Sequence, residues 1–100
     1  MPATVETSGK VTRIVLSGEF DFSSQENLNQ AFDKAIRAGT NKIILDLEKA
    51  LFIDSSVIRL FLKLHDAARK NKKSLTLTHC NERIFEIFKI GGFDQVFDIQ

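Results

Sequence analysis

Residues 42–47 read Lys-Ile-Ile-Leu-Asp-Leu, and the unbroken Ile43-Ile44-Leu45 stretch constrains the fold more than any other feature. A strand sends successive side chains to opposite faces, so three adjacent aliphatic residues ask for cover on both. The stretch predicts a central strand of a largely parallel sheet. After a short loop, residues 55–71 carry the strongest helical signal in the chain, with Val57, Ile58, Leu60, Phe61, Leu62 and Leu64 crowded into two turns. Leu75 and Leu77, separated by Thr76, then predict another strand.

The flanking segments fit the same alternation. Thr12, Ile14 and Leu16 alternate with Val11, Arg13, Val15 and Ser17, which predicts an early strand paired with residues 4–7 and closed by Gly18. Ser23 or Ser24 suits a helix N-cap, with Leu28, Ala31, Phe32, Ala35 and Ile36 following at helical spacing and Gly39 at the end. Asn81 is placed to cap a short helix through Ile90, stopped by Gly91-Gly92, and residues 96–99 add a last strand. Strands alternating with helices predict an α/β layer fold with a mixed, largely parallel sheet. No repeat, linker or low-complexity tract divides the chain, so residues 1–100 read as one domain.

Composition narrows the function classes. The 14 basic and 13 acidic residues are interleaved and leave a formal charge of +1, which gives no electrostatic footprint for nucleic acid or an anionic membrane. The basic cluster from Arg69 to Lys73 falls where a helix should end, and cations there complement the helix dipole. Cys80 is the one cysteine, which excludes an intrachain disulfide and thiolate-pair metal sites and suits a partly buried thiol in a reducing compartment. The N-terminus, Met1-Pro2-Ala3-Thr4-Val5, lacks the basic and apolar regions of a secretory signal, and no apolar run approaches the ~20 residues of a membrane span. The expected location is the cytoplasm.

Two readings compete for the turn that joins the central strand to the long helix, Leu51-Phe52-Ile53-Asp54-Ser55-Ser56-Val57. Asp54 and Ser55 are both favoured N-cap types, which is explanation enough for a structural turn. One cap does not need three capping-type residues in a row, however, and a hydroxyl at a helix N-terminus is a good phosphoacceptor. Free N–H groups and the helix dipole meet the ~−1.5 to −2 charge of a phosphate there. The helix raises the same choice. Ile58, Phe61, Leu62 and His65 form one stripe for the core, while Val57, Leu60 and Leu64 fall on a displaced flank. Either neighbouring elements cover that flank, or it is a protein-binding surface beside Ser55.

Four segments carry a resemblance. Ser-Gly-Glu-Phe-Asp at 17–21, Ile-Leu-Asp-Leu at 44–47, Phe-Ile-Asp-Ser-Ser at 52–56 and Phe-Lys-Ile-Gly-Gly-Phe-Asp-Gln-Val-Phe at 88–97 stand in the order and spacing of the STAS domain family. Over nearly its whole length the chain resembles the single-domain anti-sigma factor antagonists of that family. The resemblance implies a non-enzymatic partner switch without a cofactor. In such a switch an anti-sigma factor that is itself a serine kinase phosphorylates the first serine after the aspartate, Ser55 here. The unphosphorylated form binds the kinase, the phosphorylated form lets go, and a phosphatase resets the cycle. By the same match Asp21 lies near the turn and helps dock the partner; Asp54, Ser56 and the flank of Val57, Leu60 and Leu64 beside the turn are the other residues expected to meet it.

The chain departs from the family at two places. Val57 stands where members have glycine, so its branched side chain is expected to reshape the interface or block a kinase lobe. The sequence ends at Gln100, where members continue into a C-terminal helix; without that helix Phe93 and Phe97 are expected to lie exposed. Val57 also keeps open a rival reading, a constitutive adaptor subunit that contacts the ATPase of a membrane transport complex.

Other chemistry is weaker. His65 falls on the core stripe and His79 follows a strand, and neither has metal-ligand spacing around it. His79 and Cys80 are adjacent, so on a strand they face opposite ways, against an imidazole-activated thiol. Asp21, Asp46 and Asp54 are expected to gather at one sheet edge, where magnesium binding is a minor alternative to capping. The nine phenylalanines, mostly at apolar periodic positions, read as core rather than as base-stacking surface.

Overall fold

The computed structural model describes residues 3–100; Met1 and Pro2, part of the N-terminus read above, lie outside the described residues. In chain order the elements are β1 (Ala3–Ser8), β2 (Val11–Phe20), α1 (Gln25–Arg37), β3 (Lys42–Ile53), α2 (Ser55–Lys70), β4 (Ser74–Thr78), α3 (Glu82–Ile90) and β5 (Asp98–Ile99). Short 3-10 turns cover Phe22–Ser24 and Phe93–Gln95. The five strands form one sheet in the order β1-β2-β3-β4-β5. β1 and β2 are antiparallel, joined by a tight hairpin in which Gly9 takes the left-handed conformation at φ 61° that such a turn requires. The other neighbours are parallel. The result is the mixed, largely parallel α/β fold expected from the sequence.

Register assigns the two faces of the sheet. Ile14 pairs with Leu45, and Leu45 with Leu77, so these apolar side chains form one face, where all three are fully buried. The helices cover that face. Phe32 of α1, Phe61 of α2 and Phe88 of α3 form a run of rings with centroids 6.0 and 6.4 Å apart. On the alternate positions Thr4 and Glu6 are exposed, and Arg13, Val15 and Ile44 are only half-buried. The two-faced cover expected for β3 is therefore not found. With all three helices packed around a common ring cluster, the second face of the sheet is left open.

Element ends differ from expectation in one instructive place. Gly18, at φ 89°, does not close β2, which continues to Phe20, and β3 runs on to Ile53. Between these strands the register slips twice, after Val15 and after Gly18, each time giving β3 one residue more. The slips bring Ile53 level with Phe20, so the two strands finish together. The α1 cap also differs. Ser24 makes no side-chain bond to α1; its Oγ accepts from the Asp21 N–H at 3.1 Å in a capping box with which Asp21 caps the 3-10 turn that runs straight into α1, and α1 ends at Arg37, before Gly39. Asn81 caps α3 as expected, its Oδ1 accepting from the Ile84 N–H at 2.9 Å. Phe97, expected to be exposed, is buried edge-on against Phe88 and His65, and Phe93 is half-buried; Ile90 and Val96 are exposed instead.

Candidate functional site

β2 and β3 end side by side, and each hands over to a turn that opens with aspartate. The Asp54 N–H donates to the Phe20 carbonyl at 3.1 Å, tying the second turn to the base of the first. In the first turn Asp21 Oδ1 accepts from the Ser23 N–H at 2.9 Å and the Ser23 hydroxyl at 2.5 Å. In the second, Asp54 Oδ1 accepts from the Ser56 N–H at 3.0 Å and the Ser56 hydroxyl at 2.5 Å, and also from the Val57 N–H at 3.2 Å. One bonding pattern is thus used twice, at the C-terminal ends of adjacent parallel strands, where α/β proteins present their functional loops. The Ser23 hydroxyl and N–H hold the Asp21 carboxyl below its ordinary range, so it is a fixed surface anion.

This geometry separates the two serines. Ser56 is half-buried and its hydroxyl is committed to Asp54. Ser55, the first residue of α2, is exposed, and its hydroxyl has no hydrogen-bond partner among the described residues. It stands at the N-terminus of a 16-residue helix, whose dipole favours an anion, while the Ser56 and Val57 N–H groups are already taken by Asp54. The structural-cap reading therefore holds for Asp54 and Ser56 and leaves Ser55 unexplained by it.

Three expected surface residues are not on the surface. Val57, Leu60 and Leu64 are 0%, 5% and 2% exposed, so the open apolar flank read from the sequence is a correction. α2 packs against both the sheet and α1; Val57, Leu60 and Leu64 join Ile58 and Phe61 in one buried core cluster, with Leu60 and Leu64 beside Phe32 and Ile36 of α1. For Val57 the outcome is specific: its branched side chain turns inward and does not stand in the path of a partner.

The apolar surface near Ser55 comes from residues that periodicity does not mark. Phe22 is 72% exposed in a 3-10 turn that touches α2, and Leu51 and Phe52 are exposed at the end of β3. Phe22 sits in a short turn with no buried face for it. Leu51-Phe52 are adjacent on a strand, so one of them must face away from the helices. That adjacency was the available signal.

The expected cluster of Asp21, Asp46 and Asp54 does not form. Asp46 lies further back along β3, on the open face, bonded to Arg13 at 3.1 Å, His79 Nδ1 at 3.1 Å and the Glu48 N–H at 3.0 Å. Burial alone would raise its pKa, but the Glu48 N–H, His79 and Arg13 together hold the carboxyl below its ordinary value. Asp46, Glu48 and His79 place potential ligand atoms within 4.8 Å of one another, and the Arg13 guanidinium already supplies Asp46 with a positive partner. Cys80 is half-buried, and burial pushes its thiol up to about 11, the opposite of an activated nucleophile. No helix among the described residues is long and apolar enough to cross a membrane.

The STAS domain family model matches residues 2–100. The chain belongs to the STAS domain family. A STAS-domain containing protein of Pseudomonas aeruginosa is 27% identical over 97% of this chain and 95% of its own length. An anti-sigma-B factor antagonist of Staphylococcus aureus is 26% identical over 93% of this chain and 86% of its own length. Among solved structures, the anti-sigma factor antagonist SpoIIAA in its unphosphorylated form has a TM-score of 0.75 at 22% identity, covering 98% of this chain and 86% of that one. The Bacillus SpoIIAA structure in the phosphorylated form has a TM-score of 0.75 at 21% identity, covering 98% of this chain and 90% of that one. On this STAS fold the paired aspartate turns are the feature most unlike a simple connection between elements.

Proposed function

We propose that this STAS domain is a non-enzymatic regulatory switch of the anti-sigma factor antagonist type, acting in the cytoplasm as a single domain and controlled by phosphorylation of Ser55. The observation that carries the reading is the division of labour in the second turn. Asp54 and Ser56 hold the helix start, and Ser55 offers a free, exposed hydroxyl at its positive end. A phosphate there costs the fold little, because the helix N-terminus accommodates the charge. Its effect falls on whatever covers the turn, through repulsion and desolvation. The existence of SpoIIAA in phosphorylated and unphosphorylated forms on the same fold supports the reading.

The partner is a serine-kinase anti-sigma factor, with a phosphatase to reset the switch. Its footprint takes in Ser55, Asp54 and the fixed anion of Asp21, with Phe22, Leu51 and Phe52 in place of the buried Val57, Leu60 and Leu64. Incubation with ATP and a serine-kinase anti-sigma factor from the same genome, followed by mass-spectrometric mapping, tests this. Phosphate on Ser55 is expected. Phosphate only elsewhere rejects the site, and an unmodified chain that co-purifies with a transporter ATPase is the constitutive adaptor instead.

A further inference from the structure

The free edge of the sheet carries an inference that goes beyond the switch at Ser55. β1 is an edge strand, so one side of its backbone has no partner within the sheet. Edge strands are normally guarded by proline, lysine, a bulge or short length. Ala-Thr-Val-Glu-Thr-Ser in β1 holds no proline or lysine, and its register with β2 runs without a slip. The opposite edge, β5, is only two residues long. Beside the β1 edge a groove lies between the strand and α1, lined by Ala3, Val5, Asn27, Gln30 and Lys34 among others. Asn27 Oδ1 is shielded from solvent and has no hydrogen-bond partner among the described residues.

We propose that β1 pairs antiparallel with β1 of a second copy of this chain, with Val5 opposite its own copy on the two-fold axis. Continuity of the two sheet faces restricts where the axis can fall. Directly opposed residues share a face, so the axis must pass through Thr4, Val5 or Glu6 for a ladder of useful length. An axis at Glu6 sets two carboxylates directly against each other. An axis at Thr4 pairs residues 3–5 only, among the described residues. At Val5, residues 3–7 pair throughout: Val5 meets Val5 on the helix side, and Thr4 meets Glu6 of the second copy on the open side. The groove fits the same occupant. Gln30 is exposed on the groove and its amide both donates and accepts, so a copy of the same helix face can pair with it. The paired edge lies two strands from β3 and its turn.

Light scattering and sedimentation of the full chain over a concentration series test the proposal. A concentration-dependent species of twice the 11.3 kDa chain mass is expected. Thr4→Lys sets a cation opposite Glu6 twice per dimer and should tighten association about fivefold, whereas Thr4→Lys with Glu6→Lys opposes like charges and should weaken it about as much. Both positions are exposed, so the thermal melt of the dilute protein should hold steady and rule out unfolding. In a Cys80→Ser background, Thr4→Cys mixed with Glu6→Cys should give a disulfide-linked pair faster than either variant alone. A single-chain mass up to millimolar concentration overturns the proposal. So does a dimer indifferent to both lysine variants, or one in which the mixed cysteines do not cross-link.

Discussion

Phe22 and Ser55 occupy the same place in two copies of one turn, each the residue between an aspartate and the serine that bonds back to it. The Asp54 N–H, donated to Phe20, holds the copies together. One turn therefore presents a large apolar side chain and the other a free hydroxyl. Apolar area gives a partner something to bury, and the adjacent hydroxyl gives a kinase a place to add charge that opposes that burial.

The two serines should separate cleanly on substitution. Ser55→Ala removes a hydroxyl that bonds to nothing among the described residues and should leave stability within about 0.5 kcal/mol of the parent. Ser56→Ala removes the 2.5 Å bond to Asp54 and should cost about 1 kcal/mol. Urea unfolding of the two variants measures both. Equal losses would mean that Ser55 shares the structural role of Ser56.

Leu60→Ala should act on folding. Leu60 is 5% exposed where α2 meets α1, so truncation leaves a cavity and should cost about 2–5 kcal/mol. Phe22→Ala should leave the melt nearly unchanged and weaken partner binding, because Phe22 is exposed. Calorimetry with the partner, read beside thermal melts, distinguishes a fold defect from a contact defect.

Acid should weaken the sheet through Asp46. Its carboxyl titrates below the ordinary value in the folded chain, so the unfolded chain takes up the proton first as pH falls. The stabilisation is complete above the unfolded value near pH 4 and is lost progressively below it. Unfolding free energy should therefore fall from about pH 4 downward, and Asp46→Asn should be less stable at pH 7 with a shallower acid slope. Denaturant midpoints from pH 2 to 7 check the sign.

The sequence speaks clearly where burial follows a period. The alternation in β2, the aliphatic run in β3 and the crowding in α2 each place a real element, and their order and spacing carry the family resemblance. It misleads where cover depends on a neighbour. Ile44 suggested a helix on each face, and whether one exists depends on how the three helices share a ring cluster. Val57, Leu60 and Leu64 looked spare because one helix read alone has no α1 beside it. The turn was legible as to residue and ambiguous as to role, since aspartate and serine cap helices as readily as they serve a partner. Only the bonds of Asp54 show which serine is occupied. Phe22 carries no periodic mark because it sits in a short turn with no buried face, and for Leu51 and Phe52 the one local signal is their adjacency on a strand.

The affinity of a serine-kinase anti-sigma factor for this chain with and without phosphate on Ser55 tests the central claim most directly. Titration calorimetry should find the phosphorylated chain bound at least tenfold more weakly, or about 1.4 kcal/mol, with its far-UV circular dichroism unchanged. Equal affinity for both forms, with the phosphate verified on Ser55, would contradict it.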